Sequence, residues 1–342
     1  MKAAVLEEIN HPLVLKNVET TSLRVGQVLV KVIVSGICGS QLHEINGNKG
    51  NSKFLPHLMG HEGCGIVQEV GAGVTSVKPG DKVVMHWRPG LGIESEFPVY
   101  SMNGKSFTSG KVNTLCELAI VSENRVTKVP NETNSEFAAL LGCSLSTTLA
   151  LIENESNLKF GESVVVIGCG GLGLSLITAA KLRGAGEIIA IEQVESKRNL
   201  AVTHGATAFH SSVIDLLGKF DLVIDTTGNS EIIKHAFGIL SGVGRMLLVG
   251  QPNPGQSLSF PNAIQLFNGS GQSISATQGG GMIPQSDIPR YLKLFELGLI
   301  SIDNLITHRF DLNEVNLAFD TLKSGIAGRI IIRIGEIQTY TS

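Results

Sequence analysis

The 342-residue chain has no apolar run long enough to span a bilayer, so no membrane-crossing helix is expected. It has no surplus of positive charge either: 27 Lys and Arg stand against 30 Asp and Glu, for a formal net charge of -3. Neither nucleic acid nor an anionic membrane is therefore an expected partner. Its five cysteines (38, 64, 116, 143 and 169) are odd in number and lack the spacing of a disulfide-stapled secreted domain. The amino terminus, Met1-Lys2-Ala3-Ala4-Val5-Leu6-Glu7-Glu8, carries acids where a secretory leader needs an apolar stretch. Forty glycines are many, yet they gather at turns and form no low-complexity tract. What these absences leave is a soluble cytoplasmic protein with reduced thiols. Its length suffices for two domains, or one large one, with a real core.

What is present changes texture along the chain. Gln27 to Val34 and Gly63 to Val70 read as strands, and Val77-Lys78-Pro79-Gly80-Asp81 as a turn into the apolar run Val83-Val84-Met85. Residues 86–113 are rich in Gly, Pro, Ser and Asn with no clear period, a long loop of the kind that is functional or tied down. Glu136 to Leu151 reads as one helix capped by Asn134 or Ser135. Apolar strands then alternate with helices: strands at Ser163–Ile167, Glu187–Ile191, Leu222–Ile224 and Arg245–Val249, helices at Leu174–Arg183, Ser196–His204 and Ile232–Leu240. Such alternation means a parallel sheet covered on both faces. Beyond Ser275 the pattern is mixed again, with helices at Ile288–Leu297 and Leu312–Ser324 and a closing strand at Arg329–Ile334. The fold class expected is α/β: a doubly wound unit over 144–277 inserted into a β-rich domain formed by 1–143 and 278–342.

Gly168, Gly170 and Gly173 fit G-x-G-x-x-G between a predicted strand and a predicted helix. In a dinucleotide site these glycines serve the tight turn, the close approach of backbone to a pyrophosphate, and helix-to-strand packing. The pyrophosphate would rest on the amides that open the helix, at Gly171 and Leu172. Glu192 ends the next strand, where an acid binds the adenosine ribose hydroxyls and repels a 2′-phosphate, favouring NAD over NADP. Lys197 and Arg198 lie close enough in sequence to modify that preference.

Three separated stretches each hold one soft or borderline metal ligand beside glycine: Cys38 in Gly36-Ile37-Cys38-Gly39, His61 in Gly60-His61-Glu62-Gly63, and Cys143 in Leu141-Gly142-Cys143-Ser144. Two thiolates and an imidazole form a ligand set for a catalytic zinc with an open fourth position, provided the three converge. Cys64, Cys116 and Cys169 read instead as small buried hydrophobes. Glu62 could orient a ligand or act as a transient one. Ser40 and His43 complete Cys38-x-Ser40-x-x-His43, in which a hydroxyl takes a proton and a histidine passes it outward.

Taken together, Gly36-Ile37-Cys38-Gly39-Ser40-Gln41-Leu42-His43, Gly60-His61-Glu62-Gly63, Leu141-Gly142-Cys143-Ser144 and the glycine fingerprint resemble the zinc-dependent medium-chain alcohol dehydrogenases. The match is collinear over nearly the whole chain, through Asp225-Thr226-Thr227-Gly228, Val249-Gly250, Ile306-Thr307-His308-Arg309-Phe310 and Gly328-Arg329. The resemblance implies a Rossmann sheet within a chaperonin-like (GroES-like) β domain and catalytic zinc on Cys38, His61 and Cys143. It further implies a Ser40–His43 proton relay, Glu62 as the nearby acid, Thr227 and Gly250 on the cofactor side, Arg329 on the cofactor pyrophosphate, and a homodimer or homotetramer. One departure is plain. Many relatives hold a structural zinc on four cysteines in the loop that corresponds to 86–113, and here that window has none. One zinc per chain is therefore expected, with the loop held by Trp87, Phe97, Tyr100 and Phe107 or by a partner subunit.

The implied chemistry is hydride transfer between a zinc-polarised alcohol and NAD. The resemblance puts Trp87 and Arg88 at the substrate pocket, and His86, Arg88, Glu94, Glu96 and Lys105 make the loop polar. The substrate expected is thus a polyol, a sugar-derived alcohol or an anionic alcohol in preference to a short aliphatic one. Two other readings are a metal-free NADPH quinone or enoyl reductase of the same fold and a non-catalytic NAD- or zinc-binding structural protein. The first is disfavoured by the three ligands together, the second by the relay.

Overall fold

The computed structural model describes residues 1–49, 55–260 and 271–335. In chain order the elements begin with β1 (Lys2–Leu6), β2 (Val14–Asn17), β3 (Glu19–Thr20), β4 (Gln27–Ile37), α1 (Gly39–Ile45), β5 (His57–Leu58), β6 (Glu62–Val70) and β7 (Lys82–His86). They continue with β8 (Val99–Met102), β9 (Lys105–Thr108), β10 (Leu118–Ser122), β11 (Val126–Val129), α2 (Ser135–Leu140) and α3 (Ser144–Ala150). Next come β12 (Ser163–Ile167), α4 (Gly171–Leu182), β13 (Glu187–Ile191), α5 (Arg198–His204), β14 (Ala208–His210), β15 (Phe220–Asp225), α6 (Ser230–Gly238), β16 (Leu240–Leu248) and β17 (Ser273–Ala276). The last are α7 (Pro284–Glu296), β18 (Ile306–Asp311), α8 (Val315–Lys323) and β19 (Arg329–Arg333). No helix among the described residues is long and apolar enough to cross a membrane.

The chain divides into two compact units, one of Met1–Ser146, Ile283–Gly298 and Ile306–Ser342, the other of Thr147–Met282 and Leu299–Leu305. In the first, a seven-stranded sheet runs β11-β7-β6-β4-β19-β18, with β10 also paired to β4. Alternation along β4 explains its place: Val28, Val30 and Val32 enter one buried cluster with Val67, Val83 and Val121. Ile37, at the end of the same strand, joins a second cluster with Met59, Phe319, Ile330 and Ile332. Each such side chain contributes about 1.5–3 kcal/mol when fully buried. Strands β4 and β6 are antiparallel with Ser35 opposite Gly63, so the residues just past β4 lie beside those just before β6.

The second unit carries a six-stranded parallel sheet in the order β14-β13-β12-β15-β16-β17. That is the doubly wound order in which the succession of strands changes side between β12 and β15, the place where such sheets bind nucleotides. Val165, Ile167, Ile189, Val223 and Met246 are buried in one cluster, as a sheet covered on both faces requires.

Two local expectations are corrected. The single helix read over Glu136–Leu151 is two helices, α2 and α3, separated at Leu141–Cys143 and followed by a π-helical turn at Leu151–Glu155. Asn134 caps the first, its side chain accepting the N–H groups of Glu136 and Phe137 at 3.0 Å each. The break has a packing cause: a Cβ on Gly142 would lie 2.3 Å from the Met85 carbonyl oxygen and 2.8 Å from Glu62 Cα. Only glycine lets this backbone rest directly on β6 and β7. The loop 86–113, read as lacking periodicity, contains the hairpin β8–β9, with Asn103 and Gly104 both at positive φ in the two-residue turn.

Candidate active site

Each candidate metal ligand sits at the end of an element held by the sheet. Cys38 follows β4 and caps α1, with its backbone N–H given to Gln41 Oε1 at 2.8 Å. His61 immediately precedes β6. Cys143 occupies the break that Gly142 permits between α2 and α3. The ligand atoms of Cys38, His61 and Cys143 all lie within 4.8 Å of one another. Zinc bonds of about 2.3 Å to sulfur and 2.0–2.1 Å to nitrogen fit a triangle of that size. The donor set suits zinc, and no fourth His, Cys, Asp or Glu joins the group among the described residues.

The electrostatics are those of a built site. A hydrogen bond from Cys143, with help from His61 and Arg329, holds the Cys38 thiol well below its ordinary value against the effect of burial. The same hydrogen bond and burial push Cys143 well above. Burial would lower His61, but its hydrogen bond and charge interaction with Cys38, and the carboxylates of Glu62 and Glu44, raise it. Fully buried Glu62 is ion-paired with Arg329, itself 4% exposed, and its second oxygen accepts the Ser144 N–H at 3.1 Å. Burial nonetheless pushes the Glu62 carboxyl above its ordinary value, opposed by Arg329. Arg329 Nε is buried with no hydrogen-bond partner.

Ser40 and His43 lie three apart on α1, both half-buried, and His43 Nδ1 is 3.3 Å from Asn48 Nδ2. A cavity of about 340 Å³ reaches His61. Trp87 lines it, and Arg88 is not among its lining residues; the Arg88 carbonyl accepts from His86 Nδ1 at 2.7 Å. The polar wall comprises Glu44, Lys49, His57, Lys111 and Arg125. None of the five is singled out by the sequence, although His57 stands only four residues before His61 and Glu44 directly after His43.

In the second unit the glycine run connects β12 to α4. Gly173 packs so closely that a Cβ would lie 1.8 Å from the Gly168 carbonyl oxygen, whereas a Cβ on Gly170 would meet nothing within 4 Å. Gly170 therefore borders open space at the start of α4, where Gly171 and Leu172 form the first turn and the leading N–H groups lack intrahelical acceptors. The site fits a pyrophosphate. Glu192 ends this layer: Oε2 accepts the Cys169 N–H at 2.9 Å and Oε1 the Val194 N–H at 3.1 Å. Lys197, 3% exposed, places Nζ 3.5 Å from that carboxylate. Arg198 is engaged elsewhere, with Glu195 and over the Phe209 ring at 4.5 Å. Thr227 donates its hydroxyl to Asp225 at 2.6 Å, and a Cβ on Gly250 would lie 2.1 Å from the Gly228 nitrogen.

Comparison with known proteins agrees with both units. Residues 24–131 match the family model described as alcohol dehydrogenase GroES-like domain, and residues 171–296 the one described as zinc-binding dehydrogenase. The chain is 31% identical to the NDMA-dependent alcohol dehydrogenase of Amycolatopsis methanolica, covering 95% of this chain and 96% of that one. It is 30% identical to an S-(hydroxymethyl)glutathione dehydrogenase of Escherichia coli, covering 97% and 99%. The crystal structure of benzyl alcohol dehydrogenase from Acinetobacter calcoaceticus superposes with a TM-score of 0.87 at 26% identity, covering 98% of this chain and 99% of that one.

Proposed function

The chain belongs to the zinc-type medium-chain alcohol dehydrogenase family, and from that premise we propose that it oxidises a primary or secondary alcohol to the aldehyde or ketone with NAD, reversibly, at one catalytic zinc per chain. The observation that carries the proposal is the three-ligand cluster of Cys38, His61 and Cys143, closed on three sides and lacking a fourth protein ligand among the described residues. Cys38, His61 and Cys143 would hold the zinc, which would supply Lewis-acid polarisation of the substrate hydroxyl, and a nicotinamide bound at the glycine loop would supply the hydride acceptor. The chain's own residues do the rest. Ser40 takes the hydroxyl proton and His43, one helical turn on, passes it toward solvent. Glu62 and Arg329 offset each other's charge beside the thiols, and the unpartnered Arg329 Nε–H supports a contact to the cofactor pyrophosphate.

The first turn of α4 receives that pyrophosphate, with Thr227 and Gly250 bordering the cofactor. The Glu192 carboxylate, still able to accept ribose hydroxyls, disfavours a 2′-phosphate; the engagement of Lys197 and Arg198 with acids supports NAD over NADP. Trp87 and the polar wall support a polyol, sugar-derived or anionic alcohol. A homodimer or homotetramer in the cytoplasm completes the reading, and the five free cysteines agree with a reducing compartment.

Metal analysis combined with a reduced-nicotinamide absorbance assay over polyols, hydroxy acids and plain alcohols tests the proposal. It expects zinc at one per chain and turnover with NAD. A zinc-free chain that reduces quinones or enoyl substrates with NADPH would replace it with the rival enzyme.

A further inference from the structure

Two cations in the cavity wall, Lys111 and Arg125, share a single counter-ion. Lys111 Nζ lies 3.0 Å from Glu94 Oε1, and Arg125 Nη2 reaches the same carboxylate at 3.3 and 3.4 Å. Asn124 Nδ2 donates to Oε2 at 2.7 Å, so both oxygens are occupied. Burial would raise the Glu94 carboxyl, but Asn124, Lys111 and Arg125 hold it below its ordinary value, and it stands ionised. One negative charge therefore answers two positive ones.

The rest of the wall does not cancel the surplus. Lys49 has its own acid in Glu44, with Nζ 2.8 Å from Oε1. His57, whose Nδ1 is 3.1 Å from Ser109 Oγ, carries no negative charge in either protonation state. The Cys38 and Cys143 thiolates would balance a zinc dication, and Glu62 and Arg329 balance each other. Among the described cavity residues and their ion-pair partners, one positive charge is left over, at Lys111 and Arg125. Their side chains are only 22% and 14% exposed, so water and salt screen it weakly. A donor is left over as well: Arg125 gives Nη1 to the Trp87 carbonyl and Nη2 to Glu94, and each of these nitrogens carries two N–H groups.

We infer that Lys111 and Arg125 recognise a carboxylate on the substrate, so that the enzyme selects hydroxy acids over neutral alcohols of the same skeleton. The single surplus charge matches a carboxylate, whereas a phosphate monoester would bring nearly two. Glu94 sets the surplus at one. A cavity of about 340 Å³, with Leu55, Trp87 and Val112 on its apolar side, has room for a carbon skeleton between the carboxylate and the hydroxyl at His61. The inference rests on the alcohol dehydrogenase reading and narrows its substrate class.

The test uses the zinc-loaded enzyme and hydroxy acids of increasing chain length, each paired with its neutral primary amide. A hydrogen bond to a charged group corresponds to about ten-fold or more in kcat/KM, and wild type is expected to favour at least one acid by that factor. In Lys111→Met the acid-to-amide ratio falls about ten-fold, with the KM of the acid carrying the loss. Glu94→Gln keeps an acceptor for Asn124 but removes the counter-charge, so the ratio rises, a direction that a merely structural role does not produce. Calorimetry reads recognition without turnover: the acid lacking the hydroxyl binds wild type, and binds Lys111→Met about ten-fold more weakly. Zinc content and thermal melts establish folding, and either variant alone suffices. The inference is overturned by a wild-type ratio near one for every pair, by an equal fall for acid and amide in Lys111→Met, or by a lower ratio in Glu94→Gln. A phosphorylated alcohol preferred over every hydroxy acid overturns the single-charge match. Oxidation of no alcohol at all overturns the dehydrogenase reading itself, and the inference with it.

Discussion

The Glu62 carboxylate accepts the backbone N–H of Ser144 at 3.1 Å, which fastens the residue after His61 to the residue after Cys143. Its other oxygen neutralises buried Arg329. Glu62→Gln keeps an acceptor for Ser144 but leaves the guanidinium without a counter-charge, and removing one partner of a buried pair costs about 3–5 kcal/mol. Urea unfolding of the zinc-loaded protein is expected to show that loss, with partial recovery in Glu62→Gln/Arg329→Met. A change below about 0.5 kcal/mol, the range of an ordinary surface substitution, would show that the pair does not carry this role.

Cys143→Ala removes one thiolate from a three-ligand set. Zinc content by metal analysis and alcohol turnover are both expected to fall to background. NADH affinity, measured by fluorescence titration, stays within about three-fold, because the glycine loop of β12–α4 owes nothing to Cys143. Retention of both zinc and turnover sinks the metal assignment.

Acid sensitivity has a specific source in His86. The ring is fully buried, held by the Arg88 carbonyl at 2.7 Å and Thr127 Oγ1 at 3.0 Å. Burial lowers it to about 4. An unfolded histidine titrates at about 6.5, so between those values the unfolded chain binds a proton that the folded chain refuses. Stability from this group is complete above about pH 6.5 and declines as pH falls toward 4. Between pH 7 and pH 5 wild type is expected to lose about 2 kcal/mol more than His86→Gln in urea titrations. Parallel pH curves for the two proteins would count against it.

The cysteine-free loop is held by a carboxylate. Glu123, 2% exposed, accepts the N–H groups of Thr75 and Ser76 at 2.7 and 2.9 Å and of Ile93 at 2.9 Å. Those three bonds outweigh burial and hold its carboxyl at about 2. Glu123→Ala strands three donors, at a cost of about 2–4 kcal/mol. Hydrogen exchange at Ile93 should accelerate well beyond that at β12, and uniform exchange across both would argue for a purely global effect. Of the aromatic residues expected to hold this segment, Tyr100 packs on Phe107 within the hairpin at 6.0 Å, and Lys111 stacks over Phe97 at 4.4 Å. Tyr100 is also buried in the core cluster of the first unit, with Phe107 packed against it, so apolar and polar ties act together.

The parallel sheet was legible because strands buried on both faces must be continuously apolar, as Val164, Val165 and Val166 are. The division of Glu136–Leu151 was not, because it depends on how closely Gly142 approaches Met85, a contact between residues far apart in sequence. The β8–β9 hairpin has one local signal, the two-residue turn pair Asn103-Gly104, but its flanking strands are only four residues each and lack a regular apolar alternation. The metal ligands could be found from residue type and glycine neighbours. His57 and Glu44 could not, since nothing in a lone histidine or a helical glutamate announces that Ser109 and Lys49 will orient them toward a cavity.

Cys38, His61 and Cys143 come from three element ends scattered over a long stretch of chain. An ion gripping all three ties off two long segments at once, in the manner of a removable cross-link. Chelation should therefore hasten unfolding of the whole first unit, so that loss of metal limits the working lifetime of the protein and not only its turnover.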